Sequence, residues 1–134
     1  MAGNAVAKKL GLKAGMRGAV LSAPRGYLKS LEPLPEGVKL SERGTANQDF
    51  LQMFATRKTD IRKNAAKLLK AAAPGALVWI TYPKKTSGVE SDLSREEVWS
   101  AMEHTGWRPV SQIAIDEVWS ALRFRPVADV KSRK

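Results

Sequence analysis

The sequence predicts a three-layer α/β fold with a mostly parallel sheet of about six strands and a C-terminal antiparallel hairpin. Three observations predict it. Segments with the apolar pattern of buried strands alternate with segments that have the apolar period of helices. Residues 49–55 and 76–81 are apolar on both faces, as parallel strands covered on two sides must be. The last two strands are joined around Asp116 and Glu117, a connection too short for a crossover.

The first elements follow from apolar runs and breaker residues. Residues 5–10 predict a short helix that ends at Gly11, and residues 18–21 predict a buried strand. Pro24 suits a first helical turn, because its missing N–H is not needed there, so a helix is expected over 24–31. Residues 37–40 then predict a second strand.

The middle of the chain predicts a strand over 49–55, a helix over 59–73 and a central strand over 76–81. The apolar stripe of this helix consists of Ile61, Ala65, Leu68, Leu69 and Ala72. Lys63, Lys67 and Lys70 fall on the opposite side and are expected to face solvent. Pro74 and Gly75 are expected to end the helix.

The last part of the chain predicts a polar loop over 82–92, a helix and two strands. Ser94 and Glu97 have the spacing of a capping box at the start of that helix, and Gly106 ends it. Its buried face is predicted to comprise Val98, Trp99, Met102 and Thr105. The terminal strands are expected over 110–115 and 118–125.

Composition narrows the function classes. The 134 residues match one domain, and the basic tail over 127–134 is expected to be mobile. The absence of cysteine excludes disulfides and cysteine-ligated metals from this sequence. The longest apolar run, over 76–80, is too short to cross a bilayer, and the first residues lack the pattern of a signal peptide. We therefore expect a cytoplasmic protein with no membrane partner.

A ligand is expected where the parallel strands end, because open α/β sheets bind their ligands at that edge. The formal charge of +10 favours an anionic partner, and a phosphate-bearing or nucleotide-like small molecule is predicted. The candidate binding residues are Ser22, Arg25, Gly26, Tyr27, Glu42, Arg57, Tyr82, Lys84, Lys85 and Ser87. The lysines and hydroxyls of the loop after the central strand carry this prediction.

Four segments carry a resemblance to known proteins: residues 10–16 (LGLKAGM), 22–27 (SAPRGY), 79–85 (WITYPKK) and 119–124 (WSALRF). They resemble a family of small bacterial proteins classed as a domain of unknown function. The order of elements resembles a truncated class I methyltransferase, a Rossmann-like fold whose last strands also pair antiparallel. This resemblance implies the fold but supplies no catalytic residue.

The turn after the first strand departs from that of active methyltransferases, which is rich in glycine so that the backbone can approach the cofactor. Here it holds one glycine together with Pro24, Arg25 and Tyr27, whose side chains are expected to obstruct S-adenosylmethionine (SAM). The main hypothesis is therefore a domain without a cofactor and without methyltransferase activity. An S-adenosylmethionine-dependent methyltransferase is the alternative, in which Glu42 stands where those enzymes keep an acidic ribose ligand.

Other functions have weaker signals. The single histidine, His104, lies near a predicted helix end, where the helix dipole favours a positive charge, and no metal-ligand pattern surrounds it. A basic nucleic-acid-binding protein is a second alternative, although Trp79 and Trp99 are expected in the core. The terminal hairpin offers an open strand edge through which a homodimer is possible.

Overall fold

The computed structural model describes residues 5–42 and 47–126, which contain a six-stranded sheet. The strands are β1 (Arg17–Leu21), β2 (Lys39–Ser41), β3 (Gln48–Phe54), β4 (Ala72–Pro83), β5 (Trp107–Ala114) and β6 (Trp119–Pro126). The helices are α1 (Ala5–Leu10), α2 (Tyr27–Ser30), α3 (Lys58–Lys70) and α4 (Arg95–Met102), with short 3-10 turns at Lys85–Ser87 and Glu103–Thr105. The tail over 127–134 lies outside the described residues. No helix within the described ranges is long and apolar enough to cross a bilayer.

The strands are arranged in the order β2-β1-β3-β4-β6-β5. β1 pairs in parallel with β2 on one side and with β3 on the other, and β3 pairs in parallel with β4. β6 then pairs antiparallel with β4, and β5 antiparallel with β6. This arrangement confirms the predicted fold class, including the antiparallel C-terminal hairpin.

Helices cover both faces of the sheet and form two apolar cores. On one face, α3 and α4 bury Leu68 and Val98 against the sheet. On the other face, Leu10 of α1 and Leu31 after α2 pack with Trp79 of β4. Burying one such aliphatic side chain contributes roughly 1.5–3 kcal/mol, so apolar burial contributes much of the free energy that keeps both helical layers packed on the sheet.

The first helix ends as the sequence predicts. Gly11 has a φ of 89°, a left-handed conformation that glycine adopts without steric cost. Its amide donates to the Lys8 carbonyl at 3.0 Å, and the Leu12 amide donates to the Ala7 carbonyl at 3.1 Å. These two bonds satisfy carbonyls at the end of α1 that would otherwise lack partners.

The second helix is shorter than predicted and begins at Tyr27, not at Pro24. Gly26 precedes it with a φ of 81°, which is not a helical conformation. The Tyr27 amide donates to the Pro24 carbonyl at 3.0 Å, so residues 24–27 form a turn ahead of the helix. The proline therefore begins a turn, a position that its fixed φ also suits.

The third helix ends at Lys70, earlier than predicted, and β4 begins at once. The Ala71 carbonyl accepts a 2.8 Å hydrogen bond from the Gln48 amide, which commits that peptide group to the sheet. The prediction that Ala72 belongs to the helical stripe is therefore wrong, since Ala72 pairs with Gln48. The three lysines expected on the opposite side are exposed.

The fourth helix begins at the predicted cap, where Ser94 Oγ accepts from the Glu97 amide at 3.3 Å. Its buried face consists of Val98, Ala101 and Met102. Trp99 is 41% exposed, so its predicted place in the core is wrong. The reason is geometric: Val98, Ala101 and Met102 form the stripe that faces the sheet, and the next residue after Val98 points away from it.

Candidate functional site at the carboxyl edge of the sheet

The carboxyl ends of the four parallel strands lie along one side of the sheet, here called the carboxyl edge. From β1 the chain passes to β2 on one side, and β3 lies on the other side of β1. The strand order therefore changes direction between β1 and β3, which is where ligands bind in open α/β sheets. A cavity of about 210 Å³ lies at this point. The residues that line this switch-point cavity are Ser22, Phe54, Ala55, Thr56, Asp60, Asn64 and Trp119.

The turn after β1 leaves this cavity open. Ser22 has a φ of 58°, and Tyr27 points inward, where only 8% of it is exposed. Its ring meets Phe54 edge to face with centroids 4.6 Å apart, and its hydroxyl donates to Gln52 Oε1 at 2.9 Å. The prediction that the Tyr27 side chain crowds this turn is therefore wrong. Arg25 and Gly26 are exposed.

Burial also perturbs the titration of Tyr27. Desolvation raises the pKa of its phenol from 10.0 to about 12, and the negative charge of Asp116 acts in the same direction. The hydrogen bond to Gln52 opposes both effects. The phenol is therefore neutral at physiological pH and acts as a structural hydrogen-bond donor.

Two aromatic residues form one wall of the switch-point cavity. Phe54 and Trp119 meet edge to face, with ring centroids 4.9 Å apart. Trp119 is held in place because Asp116 Oδ1 accepts from the amides of Val118 at 2.8 Å and Trp119 at 2.9 Å. The tight turn before β6 therefore sets the position of this wall.

Asp60 supplies the charge of the cavity. Its Oδ2 accepts from the amides of Thr56 at 3.2 Å and Arg57 at 3.1 Å, and so caps the start of α3. Asn64, one turn later, donates from Nδ2 to the Asp60 carbonyl at 2.9 Å. In the part of the chain that the structure describes, no lysine or arginine lines this cavity. Its electrostatics therefore favour a cationic or neutral group over an anion.

The predicted anion-binding lysines line a separate cavity. This lysine cavity has a volume of about 380 Å³ and includes Lys84, Lys85, Asp92 and Glu97. Glu97 Oε1 lies 2.6 Å from Nζ of Lys58, a residue that does not itself line the cavity. The charges of the lining residues are therefore mixed, and the two lysines do not stand alone.

The remaining predicted residues do not line either cavity. Glu42 is exposed just after β2, and Arg57 lies 3.9 Å from Glu90 in an exposed ion pair. Ser87 Oγ accepts from the Val89 amide at 3.2 Å. Tyr82 belongs to β4 and not to the predicted loop, and its buried hydroxyl accepts from Gln112 Nε2 at 3.0 Å. Burial raises the pKa of Tyr82 as well.

Sequence reasoning missed Phe54, Asp60, Asn64 and Trp119 as site residues. One signal was available, because Asp60 and Asn64 lie four residues apart in the first turns of α3 and so share a face. No group of three or more His, Asp or Glu side chains in residues 5–42 and 47–126 is arranged to hold a metal ion.

Solved structures of similar fold include methyltransferases. A SAM-dependent methyltransferase from Aquifex aeolicus superimposes with a TM-score of 0.63 at 17% identity, covering 89% of this chain and 86% of the other. The chain has a methyltransferase-type fold. A complex of DhpI with SAH gives a TM-score of 0.57 at 16% identity, with 84% and 78% of the two chains covered. A DhpI-SAM-HEP complex gives 0.56 at 14% identity, with 84% and 80% covered.

These comparisons bear on two predictions. No protein-family model and no curated protein matches the sequence, so the resemblance to a domain of unknown function gains no support, whereas the methyltransferase-like fold is confirmed. The prediction that the chain has no cofactor is contradicted, because two of the similar structures are DhpI complexes with SAH and SAM. The inward position of Tyr27 removes one of the three side chains on which that prediction rested.

Proposed function

We propose that the chain binds SAM at the switch-point cavity and is a SAM-dependent methyltransferase. One observation carries the proposal. At the point where the strand order changes direction, a cavity is lined by the Asp60 carboxylate and two aromatic rings, with no lysine or arginine among its described lining residues. This is the position at which similar folds bind nucleotide-like ligands.

The lining of the cavity suits the charge of SAM. The sulfonium of SAM is a cation, and cations are attracted to the faces of aromatic rings and to carboxylates. Phe54 and Trp119 supply the rings, and Asp60 supplies the negative charge. Since Asp60 Oδ2 is already bonded to two backbone amides, its carboxylate is held in one position before any ligand binds.

The size of the cavity assigns it one part of the ligand. Its volume of about 210 Å³ is smaller than the roughly 300–1,000 Å³ typical of sites for drug-sized molecules. The sulfonium and the α-ammonium of SAM would lie at this cavity, and the adenosyl portion would extend along the carboxyl edge toward β2. Glu42, exposed just after β2, is the residue whose carboxylate would accept hydrogen bonds from the ribose hydroxyls.

The chain's own groups then have distinct tasks. SAM supplies a methyl group activated by its positive sulfur. Trp119 and Phe54 would exclude water from one side of that sulfur, and the side-chain amide of Asn64 would offer a donor and an acceptor to polar groups of the ligand. Asp60 would balance the positive charge of the sulfonium. The cavity would therefore bind SAM more tightly than the product left after methyl transfer, whose sulfur is neutral.

Isothermal titration calorimetry with SAM tests the proposal directly. We expect saturable binding with a Kd in the micromolar range, and a Kd at least about fivefold higher for Asp60→Asn, because the charge attraction is lost while the shape is kept. Glu103→Gln is the matched control, since Glu103 is an exposed carboxylate beyond the far end of α4. Thermal melting verifies that both variants are folded.

Two outcomes contradict the proposal. No saturable heat with millimolar SAM on folded protein excludes the site. A Kd that rises equally in Asp60→Asn and Glu103→Gln shows that SAM responds to overall charge and not to the switch-point cavity.

A further inference from the structure

Another cavity lies at the opposite edge of the sheet, where the parallel strands begin. Its volume is about 370 Å³. Its lining includes Leu69 at the end of α3, Ala73 and Pro74 in the first part of β4, Trp107 at the start of β5, and Arg123 and Arg125 of β6. We call this the arginine cavity. It shares no lining residue with either cavity of the carboxyl edge.

The two arginines lie two positions apart on β6, so their side chains leave the strand on the same side. Arg123 Nε is buried and has no hydrogen-bond partner among the described residues. A buried N–H group without an acceptor is unfavourable, and native structures provide such groups with partners. An acceptor from outside the described residues would satisfy it.

The charged side chains among the described lining residues are both positive. Within residues 5–42 and 47–126, no aspartate or glutamate lines this cavity. Burial lowers the pKa of Arg123, and the positive charge of Arg125 lowers it further. An anion bound near both guanidinium groups would offset these two effects, because it favours the charged form of each group.

We propose that the arginine cavity binds a phosphate monoester with a small apolar group. Two guanidinium groups match the charge of a dianion, and their planar arrays of N–H donors match the oxygens of a phosphate. Leu69, Pro74 and Trp107 provide apolar surface for the organic part. The volume falls within the range of small-molecule sites. This site is independent of the proposed SAM site, because it lies at the edge of the sheet opposite the carboxyl edge.

NMR titration with phenyl phosphate tests the proposal. We expect saturable shifts of the Trp107 indole N–H and the Gly75 amide, and about 10-fold weaker binding of inorganic phosphate, which lacks the apolar group. Arg125→Ala should weaken binding at least about 10-fold, since charge-assisted hydrogen bonds are lost. Arg125→Lys should also weaken it, because lysine keeps the charge but not the planar fork. Arg125→Lys also preserves most of the side-chain packing, should Arg125→Ala fail to fold.

Arg62→Ala is the matched control, because Arg62 is an exposed arginine on α3. Its affinity for phenyl phosphate should equal that of the unchanged chain. Equal weakening in Arg62→Ala and Arg125→Lys, shifts confined to the carboxyl edge, or no saturable shifts would each overturn the proposal.

Discussion

The hydroxyl of Tyr27 donates a 2.9 Å hydrogen bond to Oε1 of Gln52, a residue with no exposed surface. Gln52 Nε2 donates in turn to Thr81 Oγ1 at 2.8 Å. The turn after β1 is thereby connected through β3 to β4 by side chains alone. This connection holds the bulky side chain of Tyr27 inside the protein.

Replacing Tyr27 with phenylalanine should destabilise the protein by about 1–3 kcal/mol, because Gln52 Oε1 would be buried without its donor. Urea unfolding at neutral pH measures this loss. Tyr82→Phe is the control: its hydroxyl accepts from Gln112, an exposed residue whose amide can bond to water instead. We expect its loss to be clearly smaller. Equal losses in the two variants would contradict the special role of the Tyr27 hydrogen bond.

Stability should fall in alkaline solution as Tyr27 titrates. Its pKa is 10.0 in the unfolded chain and about 12 in the folded protein. Between these values the folded state holds the proton and the unfolded state releases it, so stability decreases as the pH rises from 10 to 12. A difference of about two pKa units corresponds to roughly 3 kcal/mol.

Unfolding free energies measured from pH 8 upward give the slope of stability against pH. Tyr27→Phe should have a shallower slope than the unchanged chain, and the remaining slope reflects other groups, including Tyr82, whose pKa is also raised. Parallel slopes in the two proteins would show that Tyr27 does not carry the effect.

Gly18 should not tolerate a side chain. A Cβ atom at this position would lie 2.8 Å from the Phe50 carbonyl oxygen and 2.9 Å from Phe50 Cβ, in the neighbouring strand. Gly18→Ala must therefore move β1 away from β3, and we expect a loss of about 1–3 kcal/mol in urea unfolding. Gly88→Ala has open space around its Cβ but a φ of 82°, and its loss of about 1 kcal/mol sets the comparison. A neutral Gly18→Ala would contradict the close approach of the two strands.

Two tryptophans should respond differently to replacement by phenylalanine. Trp79 is 3% exposed, and its Nε1 donates to the Leu10 carbonyl at 3.0 Å, so Trp79→Phe loses both packing and a hydrogen bond. We expect at least about 2 kcal/mol of destabilisation. Trp99 is 41% exposed, and Trp99→Phe should stay within about 0.5 kcal/mol. Thermal and urea unfolding of both variants would show whether this order is reversed.

The sheet was predictable because its signals are local. Apolar runs marked the strands, the short link at Asp116 and Glu117 required an antiparallel pair, and Gly11 marked the end of α1. Element boundaries were less accurate where tertiary hydrogen bonds decided them. The end of α3 is an example: the Ala71 carbonyl accepts from the amide of Gln48, a residue far away in sequence, and so is not available to continue the helix.

The site was less predictable because its parts come from distant segments. Trp119 reaches the switch-point cavity only because β6 lies beside β4, which places it near Phe54. The direction of the Tyr27 side chain depends on Gln52, which offers an acceptor inside the protein. Neither relationship has a signature in local sequence. The lysine pair was visible, but its acidic neighbours Asp92 and Glu97 were not recognised as part of the same cavity.

The placement of β6 between β4 and β5 has a consequence for how the protein is made. During synthesis, β4 leaves the ribosome long before its partner, and its hydrogen-bonding groups stay unsatisfied on that side until residues 119–126 have emerged. A nascent chain that stalls before Trp119 exposes an open, apolar strand from the centre of the sheet. Such a species is a target for chaperones and for aggregation, and folding of the central sheet is completed only after translation has passed the final strand.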